Sequence, residues 1–114
     1  MDKIEIAFQT EKLQAFYGSP KNVARKYGYE VEKKLRSRLD DLEAAQSLQD
    51  MRSLPGRWEE LTHDRFGQFS ARLHGGYRLI VKSQKQPPPA KADGGLDWHA
   101  IDSIFILEVV DYHD

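Results

Sequence analysis

The sequence predicts an α+β fold in which an N-terminal strand and two to three helices pack on one face of an antiparallel β-sheet. Three observations carry this. A helical half precedes a strand-rich half, the longest helical segment has a single apolar stripe, and a compact glycine turn joins two strand-like runs in the second half. The chain has 114 residues, enough for a core without staples, and reads as one domain over 1–114 with no internal repeat.

The run KIEIAF at 3–8 places Ile4, Ile6 and Phe8 on one face and reads as a strand. Thr10 before Glu11 is a helix cap for a short segment ending near Gly18. Ser19-Pro20 repeats the signal, a cap with proline in the first turn, for a helix that stops near Gly28. From Tyr29 the apolar positions Val31, Leu35, Leu39, Leu42 and Ala45 recur at helical spacing opposite a charged face. Ser47-Leu48-Gln49-Asp50 resembles a capping box for one more short turn, and Pro55-Gly56 ends the helical half.

Residues 57–61 form a short candidate strand. QFSARL at 68–73 and YRLIVK at 77–82 flank His74-Gly75-Gly76, a hairpin. Residues 84–100, with three consecutive prolines, read as a stiff connector rather than a ligand for a proline-recognising module. The final strand, 101–110, is apolar on both faces towards its end and therefore belongs inside the sheet.

The net charge of −1 is unevenly spread. Residues 57–85 carry six Lys/Arg against three Asp/Glu, whereas 86–114 carry one against six. A locally basic face of this kind can hold a phosphate backbone, and a solvated surface explains the charges equally well. The chain has no cysteine, which removes disulfides and thiolate metal sites and fits a reducing cytoplasm. Its start is too charged for a secretory signal, and no apolar run approaches membrane-spanning length, so a soluble cytoplasmic protein without membrane contact is expected.

There is no glycine-rich phosphate loop, no HExxH pattern and no nucleophile elbow. His63, His74, His99 and His113 are scattered, so no metal site and no cofactor is expected. Two stretches remain: LPGRWEELTHDRFGQFS at 54–70 with GYRL at 76–79, and the closing Asp111-Tyr112-His113. Read from composition, the first is a charged turn and the second a solvated terminus.

In order and spacing, LPGRWEELTHDRFGQFSARLHGGYRLIV, the later Gly-Gly-Leu-Asp-Trp and the closing DYH resemble the HigB-like branch of the RelE/ParE toxin superfamily. The resemblance covers nearly the whole chain. It implies a RelE-like fold and a toxin of a type II toxin–antitoxin system that cuts messenger RNA in the ribosomal A site. Its partners would be a HigA-like helix-turn-helix antitoxin, the ribosome with its messenger, and operator DNA only through the antitoxin. The chemistry needs no metal: the ribose 2′-hydroxyl attacks the adjacent phosphate, one group removes a proton, another donates one, and a cation neutralises the phosphorane.

The resemblance also assigns residues. Tyr112 and His113 match a closing tyrosine–histidine pair, with His113 as acid or base. Arg78 matches the arginine on the second hairpin strand and would contact the scissile phosphate. Arg65 matches the Asp-Arg of the first stretch, and a structural pairing with a carboxylate such as Asp111 is an equal alternative. Where many relatives carry a catalytic histidine and a lysine, this chain has Glu59 and Thr62. Glu59 can serve as a base, and His63 is the neighbouring substitute if the chain turns there, since adjacent strand side chains face opposite ways. The catalytic candidates are thus His113, Tyr112, Arg78, Glu59 and His63; the RNA-binding candidates are Arg57, Arg65, Arg72, Thr62 and Lys82. Glu59, Thr62 and the near-neutral charge motivate one alternative, an antitoxin-binding regulatory module without catalysis; a second is a ParE-like gyrase inhibitor, against which the closing DYH argues.

Overall fold

The computed structural model describes residues 2–112. Strand β1 (Glu5–Phe8) leads into three helices, α1 (Glu11–Tyr17), α2 (Pro20–Tyr27) and α3 (Tyr29–Ala44). A 3-10 segment (Leu48–Ser53) then leads to β2 (Glu59–Glu60), β3 (Gln68–Arg72), β4 (Tyr77–Ser83) and β5 (Ser103–Asp111). The five strands form one sheet in the order β1-β5-β4-β3-β2.

Local signals set the helix ends. The Thr10 and Ser19 hydroxyls accept from the backbone N–H of Leu13 and Asn22, satisfying donors that have no partner inside the helix. Gly28, at φ 99°, closes α2 through its N–H to the Ala24 carbonyl and opens α3. That conformation suits a residue without a Cβ. The expected capping box is displaced: Ser47 makes no side-chain cap, and Asp50 Oδ2 accepts from Gln46 N, 3.0 Å away.

The stripe Val31, Leu35, Leu39, Leu42 and Ala45 is wholly buried and meets one face of the sheet, from which Phe69, Ala71, Leu79, Val81, Ile104, Ile106 and Val109 project into the same core. β5 lies between β1 and β4, as its apolar composition requires. The pairings of β2, β3, β4 and β5 are antiparallel, but β1 joins β5 in parallel register, Ile6 opposite Ile104. The alternation of β1 is indifferent to strand direction; the route of the chain through three helices before it returns to the sheet decides it. Residues 84–100 are tied in rather than spanning open space. Leu96 and Trp98 are buried, and the Trp98 ring meets Phe69 edge-on at 4.9 Å.

Tyr17 couples the helical layer to the sheet. It is buried, and its hydroxyl accepts from the Val109 backbone N–H of β5 at 2.9 Å. Burial pushes its pKa up to about 12, against the opposing effect of that hydrogen bond. The folded state therefore favours the protonated phenol. As pH rises above about 10 the unfolded chain ionises first, and stability falls by about 1.4 kcal/mol per pH unit until the folded phenol titrates. Tyr17→Phe is expected to cost about 1–3 kcal/mol at neutral pH, because Val109 N–H stays buried without its acceptor. It should also remove this alkaline loss. Urea denaturation at pH 7 and above pH 10 checks both.

Candidate active site

Alternation along the strands places a second set of side chains on the sheet face away from the helices. Register defines its rows: Arg72 faces Arg78, which faces Val110; Glu59 faces Ser70, then Ile80, then Glu108; Gln68 faces Lys82, then Phe105. The extra residue at the irregularity between β4 and β5 is Leu107, itself buried.

Arg78 is the centre of this face. Its guanidinium reaches diagonally across β3 to Glu59 Oε1, 3.2 Å from Nη1. On its other side it lies over the Tyr112 ring at 5.3 Å. Tyr112 is fixed at the end of β5 by its backbone N–H, which donates to the Gly76 carbonyl of the hairpin turn at 2.9 Å. Glu59, Leu61, Arg78 and Tyr112 together line an open depression of about 330 Å³. A second hollow, about 340 Å³, continues past Arg78 along Arg72, Leu73, Gly75, Gly76 and Tyr77. The ion pair is too exposed to add much stability, so its consequence is geometric. A carboxylate able to accept a proton stands beside a planar cation with further N–H donors.

The Arg72 side of the hollow is anchored from behind. Arg72 N–H donates to the Gly56 carbonyl at 2.6 Å, and the Arg72 carbonyl accepts from Nε of the buried Arg38 on α3 at 3.0 Å. Burial lowers the pKa of Arg38, partly offset by Asp41. Gly56, at φ +120°, lets the chain pass against that guanidinium, since a Cβ there would lie 2.7 Å from Arg38 Nε. The Leu-Pro-Gly junction thus fixes the end of β3 on which Arg72 sits.

Arg65 is engaged by side chains of the sheet. In the 3-10 turn His63–Arg65, its Nη1 donates to Gln68 Oε1 at 2.8 Å, and both terminal nitrogens contact Glu108 Oε2 at 3.3 Å. Gln68 is on β3 and Glu108 on β5, so the side chain passes over β4, above Ile80. Ile80, opposite Glu108 in that register, is fully buried on the face away from the helices. The carboxylate Arg65 meets is Glu108, which only the register of β5 could reveal.

The other candidates are peripheral to the depression. The chain does turn at His63, at φ +56°, and the imidazole is exposed. Thr62 and Arg57 are exposed on the flanks of β2, and neither lines the depression. Arg72 and Lys82 lie on the same face as Arg78 and have no ion-pair partner among the described residues, nor does Arg57. His113, the fifth catalytic candidate, lies outside the described residues. Three features of the site escape sequence reading: Leu61 in the lining, the Arg65–Glu108 strap, and the second residue of β2. Glu60 points to the core side, where its Oε1 accepts from Trp98 Nε1 at 2.6 Å. The adjacent Glu59-Glu60 pair therefore divides its work by strand alternation, one carboxylate to the site and one to the 84–100 segment. Among the described residues there is no cluster of three metal-ligating side chains, and no helix is long and apolar enough to cross a membrane.

No individual curated protein shows significant similarity to the chain. A family model does match, that of the HigB-like toxin, described as the RelE-like toxin of the type II toxin–antitoxin system HigB, over residues 6–90. The match runs from within β1 to beyond β4 and includes Glu59, Arg65, Arg72 and Arg78. The chain belongs to this HigB-like family of RelE-like toxins, the toxin half of type II pairs whose antitoxin is a protein.

Proposed function

We propose that this toxin is a cytoplasmic, ribosome-dependent endoribonuclease that cleaves messenger RNA and is neutralised by a HigA-like helix-turn-helix antitoxin, through which alone it meets operator DNA. The observation that carries the reading is the convergence of Glu59, Arg78 and Tyr112 on one open depression. Arg78 clamps the scissile phosphate and neutralises the phosphorane. Glu59, adjoining it, takes the proton of the 2′-hydroxyl as that oxygen attacks phosphorus. The 5′-oxygen leaves with a proton from the acid at the chain end, assigned to His113, and Tyr112 donates a hydrogen bond to the substrate. The products are a 2′,3′-cyclic phosphate and a 5′-hydroxyl. These groups suffice for cleavage without a metal.

Inducible expression of the wild type and of His113→Ala tests the activity. The wild type should arrest growth and fragment messages, and the variant should not; if both leave growth and messages intact, the nuclease reading fails. The Glu59–Arg78 pairing, with Thr62 in place of the lysine common in relatives, favours one second reading, an antitoxin-binding module without catalysis. A tight complex with the neighbouring gene's product, alongside intact messages, would select it.

Arg72 and Lys82 supply the uncompensated charge that tracks the RNA backbone. For a single-stranded oligonucleotide, Arg72→Gln and Lys82→Gln should each flatten the slope of log affinity against log salt by about 0.7. A filter-binding salt series reads this directly, and an unchanged slope would place the RNA elsewhere.

A further inference from the structure

Ser70 is a buried polar side chain of this face that the mechanism leaves unused. It sits in the middle of β3, fully buried, and its Oγ has no hydrogen-bond partner among the described residues. A strand interior seldom keeps a buried hydroxyl in that state, because desolvation without a partner is costly. Its neighbours give it a use. On β2 the residue directly opposite is Glu59, which shares this face of the sheet and lines the depression, while Ser70 itself is buried. Opposed residues in an antiparallel pair have Cβ atoms about 5 Å apart, so rotation about the Glu59 side-chain bonds brings its carboxylate onto the Ser70 hydroxyl.

The carboxylate is held elsewhere for now, by Arg78 at 3.2 Å, in a pair whose acidic partner is 57% exposed and free to turn. A phosphate that takes the Arg78 guanidinium competes for the same donors, and the bidentate geometry of guanidinium with phosphate favours the phosphate. Glu59 then loses its partner at the moment it is needed as a base.

We propose that Ser70 is the positioning residue for Glu59. When the phosphate occupies Arg78, the released carboxylate turns to its cross-strand neighbour and accepts a hydrogen bond from Ser70 Oγ. One carboxylate oxygen is fixed by Ser70, and the other faces the 2′-hydroxyl and takes its proton. The Glu59–Arg78 contact is the resting arrangement, and the partnerless hydroxyl is the vacant half of the working one. This rests on the nuclease reading for its catalytic meaning, but the movement of Glu59 is testable without cleavage.

Ser70→Ala removes only a hydroxyl that has no bond in the resting protein, so its thermal midpoint should equal or exceed that of the wild type. Its kcat for message cleavage should nonetheless fall about 10–100-fold with KM unchanged, the loss of one hydrogen bond to a charged group. Ser70→Thr, which keeps the hydroxyl, should restore most of the rate. Independently, inorganic phosphate serves as the probe for the guanidinium. On its addition, the carboxyl-carbon resonance of Glu59 should move in the wild type, and move to a different position in Ser70→Ala. An unchanged kcat in Ser70→Ala, a stability loss parallel to its rate loss, or an identical phosphate response in the two proteins overturns the proposal. If the wild type cleaves no message, the nuclease reading falls, and the phosphate response still decides whether Ser70 receives Glu59.

Discussion

Arg78→Ala is expected to lower the rate of message cleavage by about 10²–10³-fold, the loss typical of removing one preorganised charge stabiliser from a transition state. The effect should fall on kcat more than on KM, because the phosphorane carries more charge than the bound diester and Arg78 meets it at the reacting atom. Arg78→Lys should recover little, since an ammonium cannot reproduce the planar, bidentate fork with which a guanidinium holds a phosphate. Folding should be nearly untouched. The pair with Glu59 is largely exposed on the acidic side, and exposed pairs contribute little to stability. Single-turnover cleavage on programmed ribosomes, with a thermal melt alongside, checks the argument. A variant that folds like the wild type and cleaves at its rate would remove Arg78 from the chemistry.

The largest effect on stability is expected from Phe69→Ala, about 3–5 kcal/mol. Phe69 is among the largest fully buried side chains, and it holds the Trp98 ring edge-on. Trp98 is fixed on its other sides by Glu60 Oε1 at its Nε1 and by the Arg52 guanidinium, 3.9 Å over its ring. Truncating Phe69 therefore opens a cavity and frees the anchor of residues 84–100 together. Urea unfolding measures the energy, and Trp98 fluorescence reports the loss of ring packing in the native baseline. A loss below about 1 kcal/mol, the range of an ordinary surface substitution, would show that the ring is not carrying that segment.

Most of the helical half was legible in the sequence. The caps at Thr10 and Ser19, the stop at Gly28 and the buried stripe from Val31 to Ala45 are local signals, and each matches the structure. The 68–82 hairpin was equally plain, because the His74-Gly75-Gly76 turn and the flanking alternation fix both register and facing. Of the candidate site, Arg78 and Tyr112 stood out only through a family resemblance. The sequence alone would have left them as a surface cation and a terminal phenol.

What the tertiary structure added were meetings between distant positions. Arg65 is bridged to Glu108 across 43 residues and Val109 N–H to Tyr17 across 92. The parallel pairing of β1 with β5, the division of labour between Glu59 and Glu60, and the partnerless hydroxyl of Ser70 opposite Glu59 belong to the same class. Most helices, strands and turns, and the apolar side of each, could be read from neighbouring residues, since they depend on torsional preference, capping and burial within a few positions; the Ser47 cap and the length of β2 could not. Which charges meet depends on strand order and register, which set the partner of each side chain on the open face and follow from packing the whole chain around one core.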